Sequence, residues 1–137
     1  MVVIAVPSFI PGSINSDMNP RFGRSEYFTF ISIENDEIKS VKAVPNQNRD
    51  AMGGAGIQTA EFIGNNGAKE VIAGFLGPNA YQSLSALNIK IYQAPNAKIT
   101  VNDCIDLYLK HQLQEMNTAN VRSHHGMGGG GGRGRSR

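Results

Sequence analysis

The apolar positions of this chain follow two rhythms, one of strands and one of helices. Val2-Val3-Ile4-Ala5-Val6 is an unbroken run rich in β-branched residues, the pattern of a strand buried on both faces. Glu26–Ile33 alternates, with Tyr27, Thr29, Ile31 and Ile33 set against more polar neighbours, and Ile38–Val44 returns after the turn residues Asn35-Asp36. That arrangement predicts an antiparallel hairpin. Between first strand and hairpin, Pro11-Gly12, Asn15, Asp17 and Asn19-Pro20 mark a long loop over 7–25. A polar stretch over 45–52 closes on Gly53-Gly54-Ala55-Gly56, and the period then changes. Ile57, Ala60, Phe62 and Ile63 recur at helical spacing, with Gly64 and Gly67 at the exit. Glu70–Ala73 reads as a second buried strand. Pro78 opens a helix carrying Ala80, Leu84 and Leu87, and Asn88–Tyr92 is a short strand. Thr100 with Asp103 three residues on has the form of a capping box. It predicts a last helix to about Met116 that buries Val101, Cys104, Ile105, Tyr108 and Leu109.

The order is strand, hairpin, helix, strand, helix, strand, helix. Strands alternating with helices require parallel pairing and right-handed crossovers. The expected fold is therefore α/β, a mixed five-stranded sheet with one antiparallel strand and helices on both faces. Residues 1–116 form one domain. The pattern stops at Asn117, and seven of the sixteen glycines lie in 126–134, so 117–137 is read as a disordered Gly/Arg-rich tail.

Charge sharpens this division. The formal net charge is +2, yet Arg122, Arg133, Arg135 and Arg137 stand in a segment without acids. Residues 1–120 hold nine basic and eleven acidic side chains, a net of −2. A broad basic face for nucleic acid is not indicated. Three arginines in Gly132–Arg137 are few for binding single strands, and a solubilising extension is the better reading. No apolar run approaches the roughly 18 residues of a membrane span, and the first residues lack the basic region of a secretory signal. A single cysteine excludes an internal disulfide framework and points to a reducing compartment, the cytoplasm.

In open α/β sheets ligands bind beyond the carboxyl ends of parallel strands, near helix N-termini. Three stretches are expected there: the long loop after strand one, ending in Asn19-Pro20-Arg21-Phe22-Gly23-Arg24, then Gly53, Gly54 and Gly56 at a helix start, and Gly74-Phe75-Leu76-Gly77 before Pro78. Unpaired helix N–H groups, close backbone approach at glycine and two arginines would together make an anion pocket. The glycines match neither the dinucleotide spacing nor the phosphate loop ending in Gly-Lys-Ser/Thr. Each also has a plain use in a tight strand-to-helix turn.

Arg21-Phe22-Gly23-Arg24-Ser25-Glu26-Tyr27-Phe28 resembles the His-Phe-Gly-Arg-x-x-x-Phe stretch of the dinitrogenase iron–molybdenum cofactor biosynthesis family. The Gly53–Gly56 helix start, Val71–Gly77, Asn88–Tyr92 and Thr100-Val101 follow the same family pattern, so the similarity covers residues 1 to about 115. It implies a ribonuclease-H-like three-layer fold. It also implies a binding or carrier role for an iron–sulfur or iron–molybdenum cluster, with cluster-assembly or acceptor proteins as partners; it does not imply catalysis, and a non-enzyme is expected. The residues carried over as cofactor-binding are Arg21, Phe22, Gly23, Arg24, Gly53, Gly54, Gly56, Gly74, Phe75 and Gly77. One position departs: Arg21 stands where many members have histidine, and a protonated guanidinium cannot ligate a metal. The metal ligands are thus unknown.

Other chemistry is thinly represented. Cys104 falls on the apolar stripe of the last helix, and one thiolate does not make a cluster site. His124-His125 lie in the tail, and His111 is late on the last helix, facing solvent. Strand one carries no acid, which removes the two-metal nuclease reading. Ser8, Ser13, Ser16 and Ser25 have no histidine nearer than His111, so no nucleophile–base pair is formed. The alternative is a nucleotide- or phosphate-binding sensor using the same helix starts.

Overall fold

The computed structural model describes residues 1–47 and 55–119. In chain order the elements are β1 (Val2–Ser8), β2 (Tyr27–Glu34), β3 (Glu37–Pro45), α1 (Ala55–Asn65), β4 (Glu70–Ala73), α2 (Pro78–Ala86), β5 (Lys90–Gln93), α3 (Val101–Leu109) and β6 (Gln114–Glu115). The apolar run of β1 lies at the heart of the sheet, whose order is β3-β2-β1-β4-β5-β6. It pairs antiparallel with β2, Ile4 opposite Ile31, and parallel with β4, Ala5 opposite Val71. β4 and β5 are parallel, as a helical crossover requires. The hairpin turn places Asn35 and Asp36 at φ 55° and 62°, the left-handed pair that a two-residue loop between right-twisted strands prefers.

Side chains alternate across the sheet and fill two cores. Ala5, Phe28, Phe30, Val71 and Ile91 face Ala60 and Ile63 of α1 and Ala80 and Leu84 of α2. Ile4, Val6, Ile31, Ile33 and Ile72 face Val101, Cys104 and Ile105 of α3. Helices therefore cover both faces. α3 is fixed at its start by the expected box: the Asp103 N–H donates to Thr100 Oγ1 at 3.1 Å and the Thr100 N–H to Asp103 Oδ2 at 3.2 Å. Cys104 is fully buried, and that burial pushes its thiol up to about 12.

The strand count differs from expectation. The sheet has six strands, not five, and β2 and β6 both run against the other four. The added strand comes from the segment expected to be the end of α3. That helix stops at Leu109, His111 turns at φ 57°, and the chain comes back along β5 to bury Met116 in the α1–α2 layer. Leu109, Leu113 and Met116 are spaced as a helical face would be, and no glycine announces the stop. Histidine tolerates the left-handed region better than most residues. The expected disorder from 117 onward falls almost wholly on 120–137, outside the described residues.

Candidate cofactor-binding site

β1, β4 and β5 end side by side at Ser8, Ala73 and Gln93, and three loops rise from those ends. The loop after β1 is tied down by its own polar residues. Thr29 Oγ1 donates to the Gly12 carbonyl at 2.8 Å, so its contact with Ser8 Oγ, also 2.8 Å, takes the serine proton. Ser25 Oγ donates to the Tyr27 and Ser8 carbonyls, and Asn46 Nδ2 donates to the Ser25 carbonyl at 2.9 Å. Asn19 donates its N–H to Pro7 O and accepts from the Arg21 N–H through Oδ1. Met18 and Phe22 sink into opposite cores, and Phe22 meets Phe28 edge to face at 5.4 Å.

The loop then meets the end of β4. The Phe75 N–H donates to Pro20 O at 2.8 Å, and Arg21 lies beside Phe75 in a short parallel bridge. Only glycine allows this approach: a Cβ at Gly74 would stand 3.0 Å from Pro20 Cα and 3.1 Å from its carbonyl oxygen. Gly74→Val should therefore cost about 1–3 kcal/mol through overpacking. Gly77→Ala, where the new Cβ meets open space, should cost about 1 kcal/mol or less. Urea midpoints of the two variants check this, and equal losses would count against the contact.

Arg21, Phe22, Gly23, Phe75 and Gly77 line one open pocket of about 330 Å³. The two expected stretches are thus brought together, with Gly77 at the cap of α2, which has no side-chain capping bond. Arg24 is exposed and is not among the lining residues. Gly56 is not among those lining residues either and packs against α2. A Cβ there would come within 2.9 Å of Ala80 Cβ, so this glycine lets α1 and α2 touch. Gly53 and Gly54 lie outside the described residues.

Across Phe75, which is half exposed, lies a second cavity of about 410 Å³ that is mostly apolar. Phe9, Met18, Pro20, Ala94, Pro95 and Ala97 give its walls, and Asp17, Gln93 and Lys98 its polar points. Gln93 Nε2 donates to the Gly74 and Ala94 carbonyls, both at 3.0 Å, clamping two strand ends. Lys98 reaches Asp17 at 3.8 Å on the rim. Of the residues that line it, Pro20, Gly74 and Phe75 lie in the glycine-bearing motifs expected from sequence, and the others do not. The available signal was Phe9-Ile10, an apolar pair opening a polar loop.

Among the described residues, no group of three or more His, Cys, Asp or Glu side chains is placed to hold a metal. Cys104, buried on the inner side of α3, lines neither cavity, and His111 is exposed near the amino ends of the parallel strands. Whatever binds here meets Arg21, the start of α2 at Gly77, the Lys98–Asp17 pair and apolar walls.

The family model for the dinitrogenase iron–molybdenum cofactor matches residues 2–111. The chain belongs to this family. An uncharacterized protein of Methanocaldococcus jannaschii is 37% identical over 101 residues, 74% of this chain and 84% of that protein. The apo form of the orange protein from Desulfovibrio gigas superposes with a TM-score of 0.80 at 30% identity, over 88% of this chain and 98% of that one. A NifB candidate from Thermotoga gives a TM-score of 0.73, also at 30% identity, with the same coverage. The family match spans every element from β1 to α3 and stops short of β6.

Proposed function

We propose that this family member binds a metal–sulfur cluster of the iron–sulfur or iron–molybdenum type as cargo. It would carry the cluster during cofactor assembly or delivery, without catalysing a reaction itself. The observation behind this reading is the meeting of Arg21–Gly23 with Phe75–Gly77 in one open pocket beyond the parallel strands. Family membership supports it, as does the likeness to the NifB candidate. The pocket's lining, Arg21, Phe22, Gly23, Phe75 and Gly77, suits a cargo that arrives with its own ligands complete. Arg21 then contributes charge and hydrogen bonds to sulfide, which a guanidinium can do although it cannot ligate. The second cavity, apolar with Lys98 at its rim, suits the soft surface of such a cluster.

Two further expectations belong to this reading. The sheet, with β1 central, an antiparallel meander on one side and parallel crossovers on the other, supports a ribonuclease-H-like assignment. Ser8 and Ser25 are buried and hydrogen-bonded within the loop scaffold, which suits a protein that does no nucleophilic chemistry. No helix among the described residues is long and apolar enough to cross a membrane, and the cytoplasm is the compartment we assign.

The test is anaerobic. Full-length protein is offered an iron–sulfur or molybdenum–iron–sulfur cluster, and visible absorption and metal content are read after gel filtration. Stoichiometric uptake is expected, and Arg21→Ala should weaken it about tenfold, the worth of one charge-assisted hydrogen bond. Binding of a nucleotide or inorganic phosphate with no cluster uptake would replace this reading with the sensor.

A further inference from the structure

At the opposite end of the sheet lies a third cavity, of about 600 Å³, on the α3 face. Its walls include Glu34 and Asp36 of the hairpin turn, Tyr92, Tyr108 and His111. The two tyrosine rings meet edge to face at 5.5 Å. Both hydroxyls are pushed upward, by burial first and then by carboxylates around them: Glu70 for both, Glu115 for Tyr92 and Asp36 for Tyr108, with Lys90 pulling Tyr92 the other way. Tyr108 also hydrogen-bonds with Glu70. That carboxylate keeps one oxygen, Oε1, buried without a hydrogen-bond partner among the described residues. The aromatic rings of Tyr92 and Tyr108 and the exposed carboxylates of Glu34 and Asp36 suit a planar cation with several N–H donors, a guanidinium.

The chain carries that cation itself. Residues 120–137 contain four arginines and no acid. The Met116 N–H donates to Ile91 O and Glu115 pairs with Tyr92, a wall of the cavity. β6 thus leads the chain toward the amino ends of the parallel strands, where the cavity opens. Eighteen residues of Gly-rich chain reach roughly 23 Å in root-mean-square extension, ample for a return to Glu34 and Asp36. We propose that this cavity is the docking site for arginine side chains of the chain's own carboxy-terminal segment, residues 120–137. Docking there pairs arginines of the tail with Glu34 and Asp36 and holds the tail away from the cluster pocket at the other end.

A nitroxide on Ser136→Cys tests this in the full-length protein. Labelling is confined to position 136, because Cys104 is fully buried with its thiol near 12. At low salt the amide signals of 34–36, 108 and 111 should lose at least about half their intensity. They should recover in about 1 M salt, where charge attraction is screened within a few ångströms, and in the Glu34→Gln/Asp36→Asn variant. Asparagine keeps the turn because it tolerates positive φ, and the salt arm stands without the variant. Broadening that is absent, salt-insensitive or centred on the loops around Arg21 and Phe75 overturns the proposal. So does broadening seen only between chains, when spin-labelled protein is mixed with an isotope-labelled partner, because the occupant is then a second copy's tail.

Discussion

Phe28→Ala should destabilise the protein by about 3–5 kcal/mol, the range for deleting a large aromatic side chain from a packed core. Phe28 is fully buried and its ring meets Phe22 at 5.4 Å and Phe62 at 6.1 Å, edge to face in both cases. It thus joins the loop that carries Arg21 to helix α1. Urea unfolding reads the stability, and the substitution should also reduce cluster uptake under conditions where the variant is still folded. Ile105→Ala, in the α3 layer, is the comparison. It should cost about 2–5 kcal/mol and leave uptake near the unsubstituted level. If the two variants take up cluster equally, Phe28 supports the fold and does not position the loop.

Alkaline pH should remove a comparable amount of stability. The Cys104 thiol lies near 12 in the folded protein against an ordinary 9.0, chiefly because burial disfavours the thiolate and secondarily because Asp103 is close. A folded value above the unfolded one means that stability is fully present below pH 9. It falls once the unfolded chain begins to lose its proton, and the loss is complete only beyond pH 12. At 1.36 kcal/mol per pH unit, the thiol accounts for roughly 3 kcal/mol by pH 11 and 4 kcal/mol by pH 12. Tyr92 and Tyr108 are shifted the same way and add to the slope. Urea midpoints between pH 8 and 11 should fall for the native chain and fall less for Cys104→Ala. Parallel curves would show that the thiol is not responsible.

The order of elements was legible because burial imposes it on composition. A β-branched run such as Val2–Val6 has few alternatives to a central strand, and Thr100 with Asp103 starts a helix through two local hydrogen bonds. What escaped depends on partners distant in sequence. Gly56 reads in sequence as a ligand-cradling glycine, and only the folded chain shows Ala80 of the next helix 2.9 Å from its missing Cβ. β6 escaped because two residues have no period, and its reason to exist is the open edge of β5. The site was half readable. Arg21 and Phe75 are each marked by neighbouring glycines, but their adjacency rests on the Pro20–Phe75 hydrogen bond. The apolar cavity is assembled from four separate segments, and beside Pro20 and Gly74-Phe75 its only local trace is Phe9-Ile10.

The central place of β1 also bears on how the chain is made. Its first edge is covered within the first 45 residues, when the hairpin closes, but its second edge waits for Glu70 and Val71. At about 5–20 residues per second on the ribosome, a buried-type strand is left open-edged for roughly one to five seconds. An unpaired apolar edge is a template for pairing with other chains. The segment synthesised in that interval includes α1, whose Ala60 and Ile63 pack in the same core as Ala5. The nascent protein can therefore screen one face of its most vulnerable strand before that strand's last neighbour has left the exit tunnel.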